Sequence, residues 1–570
     1  MTTTEERIDL VSSFDAGMQR RTTRFLSQPN EVFFAKNTDF QYLLGGIAKA
    51  LGYEKKGATI NSGAAILGCG SLNTSTGTNK ILAFSGTDAY VFDGSSNWAA
   101  QSVGFSSGEK YETANFIDSL WIAGGNGQRL REYDGTTFNT LDFNNAPFGK
   151  YIIVDKSRLY VFNCGLVTIG TFASRFFYTD LPTDSGASIS AVWGLQVGID
   201  LVTTAASDVV TSALADFITN GIKVGDPFFV FEGADIGQYE VKSVDSASQI
   251  TLTEDLTATT SNLDYWTGGN WEDVERNNSD VGMGIGKNND RVLFFKRFSV
   301  HKWNKGDTDA ENTLIPIKGI PGTTSHRSIV NVRDFTFYWS DTGLWRYDGS
   351  SSQIVSNPIQ EIVDGIAVAS LDDIVGWNVD DRILKMYVGN IDNADTGLTI
   401  TNCVICYDIF ANAFWVEEYD DVINCSTKWV ESSELKNFIF SNDGEAFQSE
   451  KGNSYNGTAF PMEIETWFRY PIAPEVQVNF TRFKTYTQHG REITCVVKFA
   501  YYTAEGGYRV DNDWRPMKPK YKTQDEQEWV VSLADLKAAG YALKFIENSS
   551  SNARPAVERI AAFYTGGEIR

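Results

Sequence analysis

The sequence predicts an all-β chain: a β-propeller of six or seven blades with an inserted small β-domain and a C-terminal β-sandwich. Three observations predict it. One phrase recurs, as Leu344-Trp345-Arg346-Tyr347-Asp348-Gly349-Ser350, as Ala89-Tyr90-Val91-Phe92-Asp93-Gly94-Ser95 and as Leu130-Arg131-Glu132-Tyr133-Asp134-Gly135-Thr136. Each copy is an apolar strand running into Asp-Gly, a strong hairpin signal because glycine accepts positive φ. Aromatics at 13% and 50 glycines fit many short strands joined by tight turns. From about residue 459 the phrase stops and strands recur at the spacing of a sandwich.

Residues 1–60 read as an extended N-terminal arm. Phe14, Phe25, Phe33, Phe34 and Phe40 are scattered among polar residues without periodicity, so the segment gains order only by lying on something else. Arg20, Arg21 and Arg24 form a small basic cluster there, either solvated or touching an acidic partner subunit.

Residues 61–185 hold the first part of the propeller. Lys80 to Phe84 and Ala89 to Phe92 form one hairpin, Ser119 to Ala123 and the phrase at 130–141 the next, and Tyr151 to Val154 with Arg158 to Phe162 a third. After each Asp-Gly turn the chain resumes on an apolar or aromatic residue: Trp98, Phe138 and Ile354. A hairpin recurring at blade-like intervals points to blades that bury their faces against neighbours.

Residues 186–268 break this pattern and read as an inserted acidic β-domain, with 11 acidic and 2 basic residues. Gly237 to Val244 and Gln249 to Thr253 alternate as strands, and 208–219 suits one short helix. Residues 269–458 resume the propeller, with Arg291 to Phe295, Phe335 to Trp339, Leu384 to Val388, Cys403 to Tyr407 and Asn437 to Phe440 as blade strands. At roughly 40–50 residues per four-stranded blade, six or seven blades fit. Residues 459–570 read as the terminal sandwich, with 15 basic and 14 acidic residues against an acidic remainder.

Composition excludes several function classes. A net charge of −23 argues against wrapping nucleic acid, which needs clustered Lys and Arg on phosphates. No run of about 18 apolar residues predicts a membrane span, and the start lacks the basic and apolar regions of a signal peptide. The six cysteines, Cys69, Cys164, Cys403, Cys406, Cys425 and Cys495, are sparse and fit free thiols made in a reducing cytoplasm. Cys403 and Cys406 have redox- or metal-pair spacing, but they sit in an alternating strand with no second pair or histidine nearby.

No catalytic, cofactor or metal site is predicted, and the chain reads as a non-enzyme. His301, His326 and His489 show no metal-ligand spacing, and no Gly-x-Ser-x-Gly elbow occurs. Gly282-Met283-Gly284-Ile285-Gly286-Lys287 lacks the ending of a phosphate loop. The acidic loop from Asp392 to Gly397 lacks the distal Glu of a calcium loop and reads as a hairpin tip. Ser340 to Trp345 echoes the Asp-box of sialidase propellers with the wrong spacing. Residues 514–522, with Arg515, Lys518, Lys520 and Lys522, are the one basic and aromatic patch, which reads as a solvated loop or a docking surface for an acidic neighbour ahead of a contact for DNA.

The opening Phe14-Asp15-Ala16-Gly17-Met18, then Asn30-Glu31, Asn37 and Gly52-Tyr53, resembles the start of tailed-phage propeller proteins, with Ala16 where they carry glycine and no basic pair before Gly52. The Gly-Leu-Trp-Arg-Tyr-Asp-Gly hairpin is similar to their blades, and residues 546–560 resemble their terminal sandwich. The family is the podophage tail nozzle, or packaged-DNA stabilisation, group. The resemblance implies a virion protein, made in the host cytoplasm, that forms a ring, usually a hexamer, below the portal and adaptor. The ring continues the DNA channel, retains packaged DNA without sequence-specific binding, and anchors fibres or a needle. An acidic lumen suits that role, because it repels phosphates. The alternative is a receptor- or glycan-binding virion protein, with or without hydrolase activity.

Overall fold

The recurring Tyr-Asp-Gly phrase owes its shape to local hydrogen bonds. Gly94, Gly135 and Gly349 take φ of 86°, 98° and 94°. The Asp348 carboxylate accepts from the Ser350 and Ser351 amides at 2.8 and 2.6 Å and from both serine hydroxyls. Asp93 and Asp134 repeat this arrangement. The preceding tyrosine adds a second tie: Tyr347 Oη donates to the Gly349 carbonyl at 2.7 Å, and Tyr133 Oη to Gly135 at 2.9 Å. Phe92 stands at that place in the third copy and has no hydroxyl to donate.

Amide donors from Ser95 and Asn97 hold Asp93 down at about 2, and those of Ser351 and Ser350 lower Asp348. A depressed carboxylate stabilises above its unfolded pKa of about 3.9 and loses that contribution as pH falls through its folded value. These turns are therefore expected to stay ionised at about pH 3. A carbon-13 titration of labelled aspartates tests this, and midpoints near the ordinary value for Asp93 and Asp348 would contradict it.

The structure, a computed structural model, describes residues 6–21, 27–28, 30–43, 45–125, 127–141, 145–166, 169–180, 193–275, 280–289, 291–306, 311–431, 433–489, 493–502, 508–523, 525–530, 537–549 and 554–569. Six four-stranded antiparallel sheets form a six-bladed propeller. Blades one and two are consecutive meanders, Ile66–Asn73 to Trp98–Ser102 and Glu112–Phe116 to Phe138–Thr140. Blade three takes Phe148–Asp155, Arg158–Leu166 and Gly170–Tyr178, then Asn270–Asp273 as its outer strand. Blades four and five run from Gly282–Asn288 to Thr313–Pro316 and from Val330–Val332 to Ser352–Ile354. Blade six joins Ile423–Glu431, Glu434–Ser441 and Ala446–Ser449 to Tyr53–Lys55, far earlier in the chain.

Large side chains fill the gaps between blades. Phe92 and Trp429 meet edge-to-face at 5.9 Å between blades one and six. Phe176 stacks on Phe294 at 4.1 Å between blades three and four. Each such ring buries 150–250 Å², so the wedges between sheets are the core.

Between the third and fourth strands of blade three, six strands from Leu195–Thr203 to Thr260–Gly268 close into a small barrel. Val210, Phe217, Phe228, Ile250 and Tyr265 fill it. The helix expected over 208–219 does not form. Ser207–Ser212 is a strand paired with Gln249–Leu256, because β-branched Val209 and Val210 suit a pleat, and turns follow it.

The chain divides into two compact units: Lys56–Gln353 with Ile423–Ala446, and Met1–Lys55 with Ile354–Val422 and Phe447–Arg570. The second unit differs from the sequence reading in two ways. Strands Ile383–Asn393, Leu398–Asp408 and Ala413–Glu418, expected in blades, belong to a ten-stranded sheet with Met462–Thr466, Gly540–Glu547 and Thr494–Tyr502. The N-terminal segment, read as an extended arm, supplies strands to both sheets of this unit. Val32–Lys36 lies inside that sheet, parallel to Ala413–Glu418 and antiparallel to Met462–Thr466. Arg7–Val11 pairs with Ala556–Ile569 in a second, eight-stranded sheet. Among the described residues no helix is long and apolar enough to cross a membrane.

Candidate functional sites

The first strands of the blades surround a short turn, His326–Ser328, that precedes blade five. Arg327 is largely buried within it, and its guanidinium is spent on three blades. Nη2 donates to the Leu67 carbonyl of blade one at 2.6 Å and to Tyr111 at 3.2 Å. Nη1 donates to Asn424 of blade six at 2.7 Å, and Nε to Glu112 Oε1 of blade two at 2.8 Å. Burial opposes the charge, but Glu112 outweighs it and raises the arginine's pKa. His326 accepts from the Ile285 amide of blade four at 3.3 Å and packs on Tyr151 of blade three at 4.7 Å. Burial lowers its pKa. The place where blades converge is therefore filled by protein and works as a hub.

The opening residues that carry the resemblance occupy positions with strict stereochemical demands. Gly17 has φ of 70°, and a Cβ there would lie 2.6 Å from Ala413 Cβ. Asn37, at φ 55°, accepts from the Glu418 amide at 2.8 Å and the Tyr455 hydroxyl at 3.1 Å, and donates to Pro461 at 2.7 Å. Gly52 bonds to residues 451 and 452, and a Cβ there would overlap the Ser454 carbonyl oxygen. Tyr53 stacks on Tyr455 at 4.8 Å and donates to Asp421 at 2.7 Å. These four residues latch the N-terminal segment to 413–421 and 452–461. Gly52→Ala is expected to cost about 1–3 kcal/mol, because the obstacle is backbone and cannot rotate away. Urea unfolding measures the loss, and an unchanged midpoint would count against the latch.

Buried ion pairs reinforce the same unit. Lys49 pairs with Glu547 at 2.9 Å, with side chains 1% and 0% exposed. Asp9 accepts from Arg469 at 2.8 Å and from Tyr541 at 2.8 Å. Lys385 lies between Glu417, at 2.8 Å, and Glu450, at 2.6 Å. No composition or spacing signal marks these pairs, whose partners lie far apart in sequence. Cys403 and Cys406 are buried in Leu398–Asp408, and burial pushes both thiols well up. Among the described residues no group of three His, Cys, Asp or Glu is placed to hold a metal.

The cations offered as partner contacts separate into two kinds. The Arg20 side chain is 6% exposed, forks onto Glu361 at 2.7 and 2.9 Å and lies over Phe33. An internal carboxylate and ring satisfy it. Arg21 is exposed, and Arg24 lies outside the described residues. Arg515 is tied to Asp511 at 2.7 Å and Tyr501 at 2.9 Å. Lys518, Lys520 and Lys522 fall on the edge strand Lys518–Lys522 of the eight-stranded sheet. Lys520 bonds Glu528 at 3.0 Å, and Lys522 lies over Trp529. Lysines with Pro519 on an edge strand are a known guard against edge-to-edge pairing, which accounts for this patch without a ligand.

No family model and no curated protein matches the sequence. Among solved structures the chain is similar to a phage phi92 endosialidase, at TM-score 0.19 and 10% identity over 91% of this chain and 73% of that one. It is also similar to the WD40 domain of Neurospora crassa Pan2, at TM-score 0.27 and 7% identity over 69% and 96%. At scores this low neither similarity carries an argument about activity.

Proposed function

We propose that the chain is a structural protein of a phage tail, assembling with copies of itself into a ring that continues the DNA channel below the portal and adaptor. The observation that carries this reading is the latch. Gly17, Asn37, Gly52 and Tyr53, the residues of the resemblance, each meet a geometric demand that few other residue types satisfy. A residue type required by its backbone geometry gives the resemblance a physical reason at those positions. The charge of −23 supports it too, since an acidic wall lets DNA pass without adhering. The filled hub supports a passage formed between subunits, because Arg327 occupies the point where blades meet. The acidic barrel is a natural contact for a fibre or needle.

Cryo-electron microscopy of the purified chain or of intact particles tests the reading. A closed ring with an axial passage, six-fold in the resembled family, is the expected result. A monomer or a trimer at the particle periphery would overturn it.

A further inference from the structure

A groove of about 640 Å³ opens among blades three, four and five. It lies where the hairpin turns of those blades meet: Lys156 follows the first strand of blade three, Arg291 and Lys302 lie on the second and third strands of blade four, and Asp348 begins the last turn of blade five. Three cations thus line one cavity in a chain whose net charge is −23. Among the described residues none of the three forms an ion pair. The single carboxylate of the lining is Asp348, and its oxygens are already engaged by the amides and hydroxyls of Ser350 and Ser351. Three cations against this one carboxylate leave the lining with a net charge of +2 (3 − 1).

The rest of the lining says which anion fits. Asn289 and Asn304 contribute amides, and Asn304 uses only its Nδ2, toward Thr313. An amide offers both donor and acceptor, which suits hydroxyl groups. The one aromatic ring of the lining, Tyr347, is 2% exposed with its hydroxyl bound to Gly349, so it presents no face for a base to stack on. A long nucleic acid also meets the repulsion of the whole acidic chain. The volume lies in the range of small-ligand sites.

We propose that this groove binds an acidic saccharide, its cations taking the carboxylate or phosphate of a sugar and its asparagines the neighbouring hydroxyls. The proposal goes beyond the assembly reading and holds for a monomer or a ring alike.

The test is calorimetric titration of the full chain at low salt with tetragalacturonate, glucose 6-phosphate, maltotetraose and octathymidylate. Saturable binding of either acidic sugar, without binding of maltotetraose, is expected. The Arg291→Gln/Lys302→Gln variant is expected to bind at least about tenfold more weakly, a loss of roughly 1.4 kcal/mol, with an unchanged unfolding midpoint. Lys156→Gln, in an exposed turn, gives a smaller loss and serves should the double variant unfold. Binding of tetragalacturonate alone assigns the acid group as carboxylate, and of glucose 6-phosphate alone as phosphate; both support the site. Three outcomes overturn it: no binding of either sugar up to about 10 mM, binding that the variants leave unchanged, or octathymidylate binding more tightly than both.

Discussion

Arg327→Met is expected to destabilise the propeller by about 3–5 kcal/mol, the usual cost of breaking a buried ion pair by removing one partner. The side chain serves several groups at once. Without it the carbonyls of Tyr111 and Asn424 lose the arginine as donor, that of Leu67 keeps only the Tyr111 amide, and the Glu112 carboxylate loses its counter-charge. Each buried acceptor left bare costs a desolvation penalty of about 1–3 kcal/mol. Methionine keeps the approximate bulk, so the loss reports hydrogen bonds and charge rather than a cavity. Arg327→Lys is expected to recover only part of the loss, because an ammonium lacks the planar fork that reaches separate strands. Tryptophan fluorescence during urea unfolding reads the difference. A loss under about 1 kcal/mol, the scale of one ordinary hydrogen bond, would mean that the hub is wetter or looser than its geometry implies.

Lys385→Met is expected to cost a similar amount, about 3–5 kcal/mol, in the other unit. Lys385 and Glu417 are 1% and 2% exposed, and Glu450 is 21% exposed. Two carboxylates share one ammonium, so its removal leaves a buried Glu417 and a partly exposed Glu450 without their counter-charge. Burial opposes the lysine's charge, but Glu417 and Glu450 overcome it and raise its pKa well above the ordinary value. Its contribution is therefore fully present below the unfolded lysine value of about 10.4 and is lost only as pH rises through the still higher folded value. Glu450 runs opposite to the aspartate turns: burial raises its pKa, so its ionisation lowers stability as pH climbs above about 4.3. A double variant, Lys385→Met with Glu417→Leu, is expected to be more stable than Lys385→Met alone, since replacing both partners leaves one buried charge fewer. Additive losses in that cycle would show that the pair is uncoupled.

The parts of this fold that were legible are those decided locally. The Tyr-Asp-Gly hairpins could be read because their hydrogen bonds close within four residues. The acidic barrel showed through as a break in pattern and a shift in charge. What could not be read depends on distant partners. Residues 383–388 and 403–407 are buried on both faces and have the same composition whether they pair within a blade or within the ten-stranded sheet. Thr38–Asp39 and Ile47–Lys49 are two and three residues long, too short to show alternation. Arg327 is one of 49 basic residues, and nothing in Ser325-His326-Arg327-Ser328 distinguishes it. The basic patch was visible as composition, but only its place on a sheet edge gives the lysines a structural reason.

The sixth blade has a consequence in time. Its outer strand, Tyr53–Lys55, pairs with Ala446–Ser449, so a strand made early waits for a partner made almost 400 residues later. At about 5–20 residues per second of synthesis that wait is roughly 20–80 s. Until it ends, Tyr53–Lys55 lacks its partner and blade one lacks the Trp429 face of its core. The nascent ring is then an open fan with an apolar flank. A host with few holding chaperones would be expected to yield less soluble protein, and slowing translation after residue 449 would relieve that less than speeding it before.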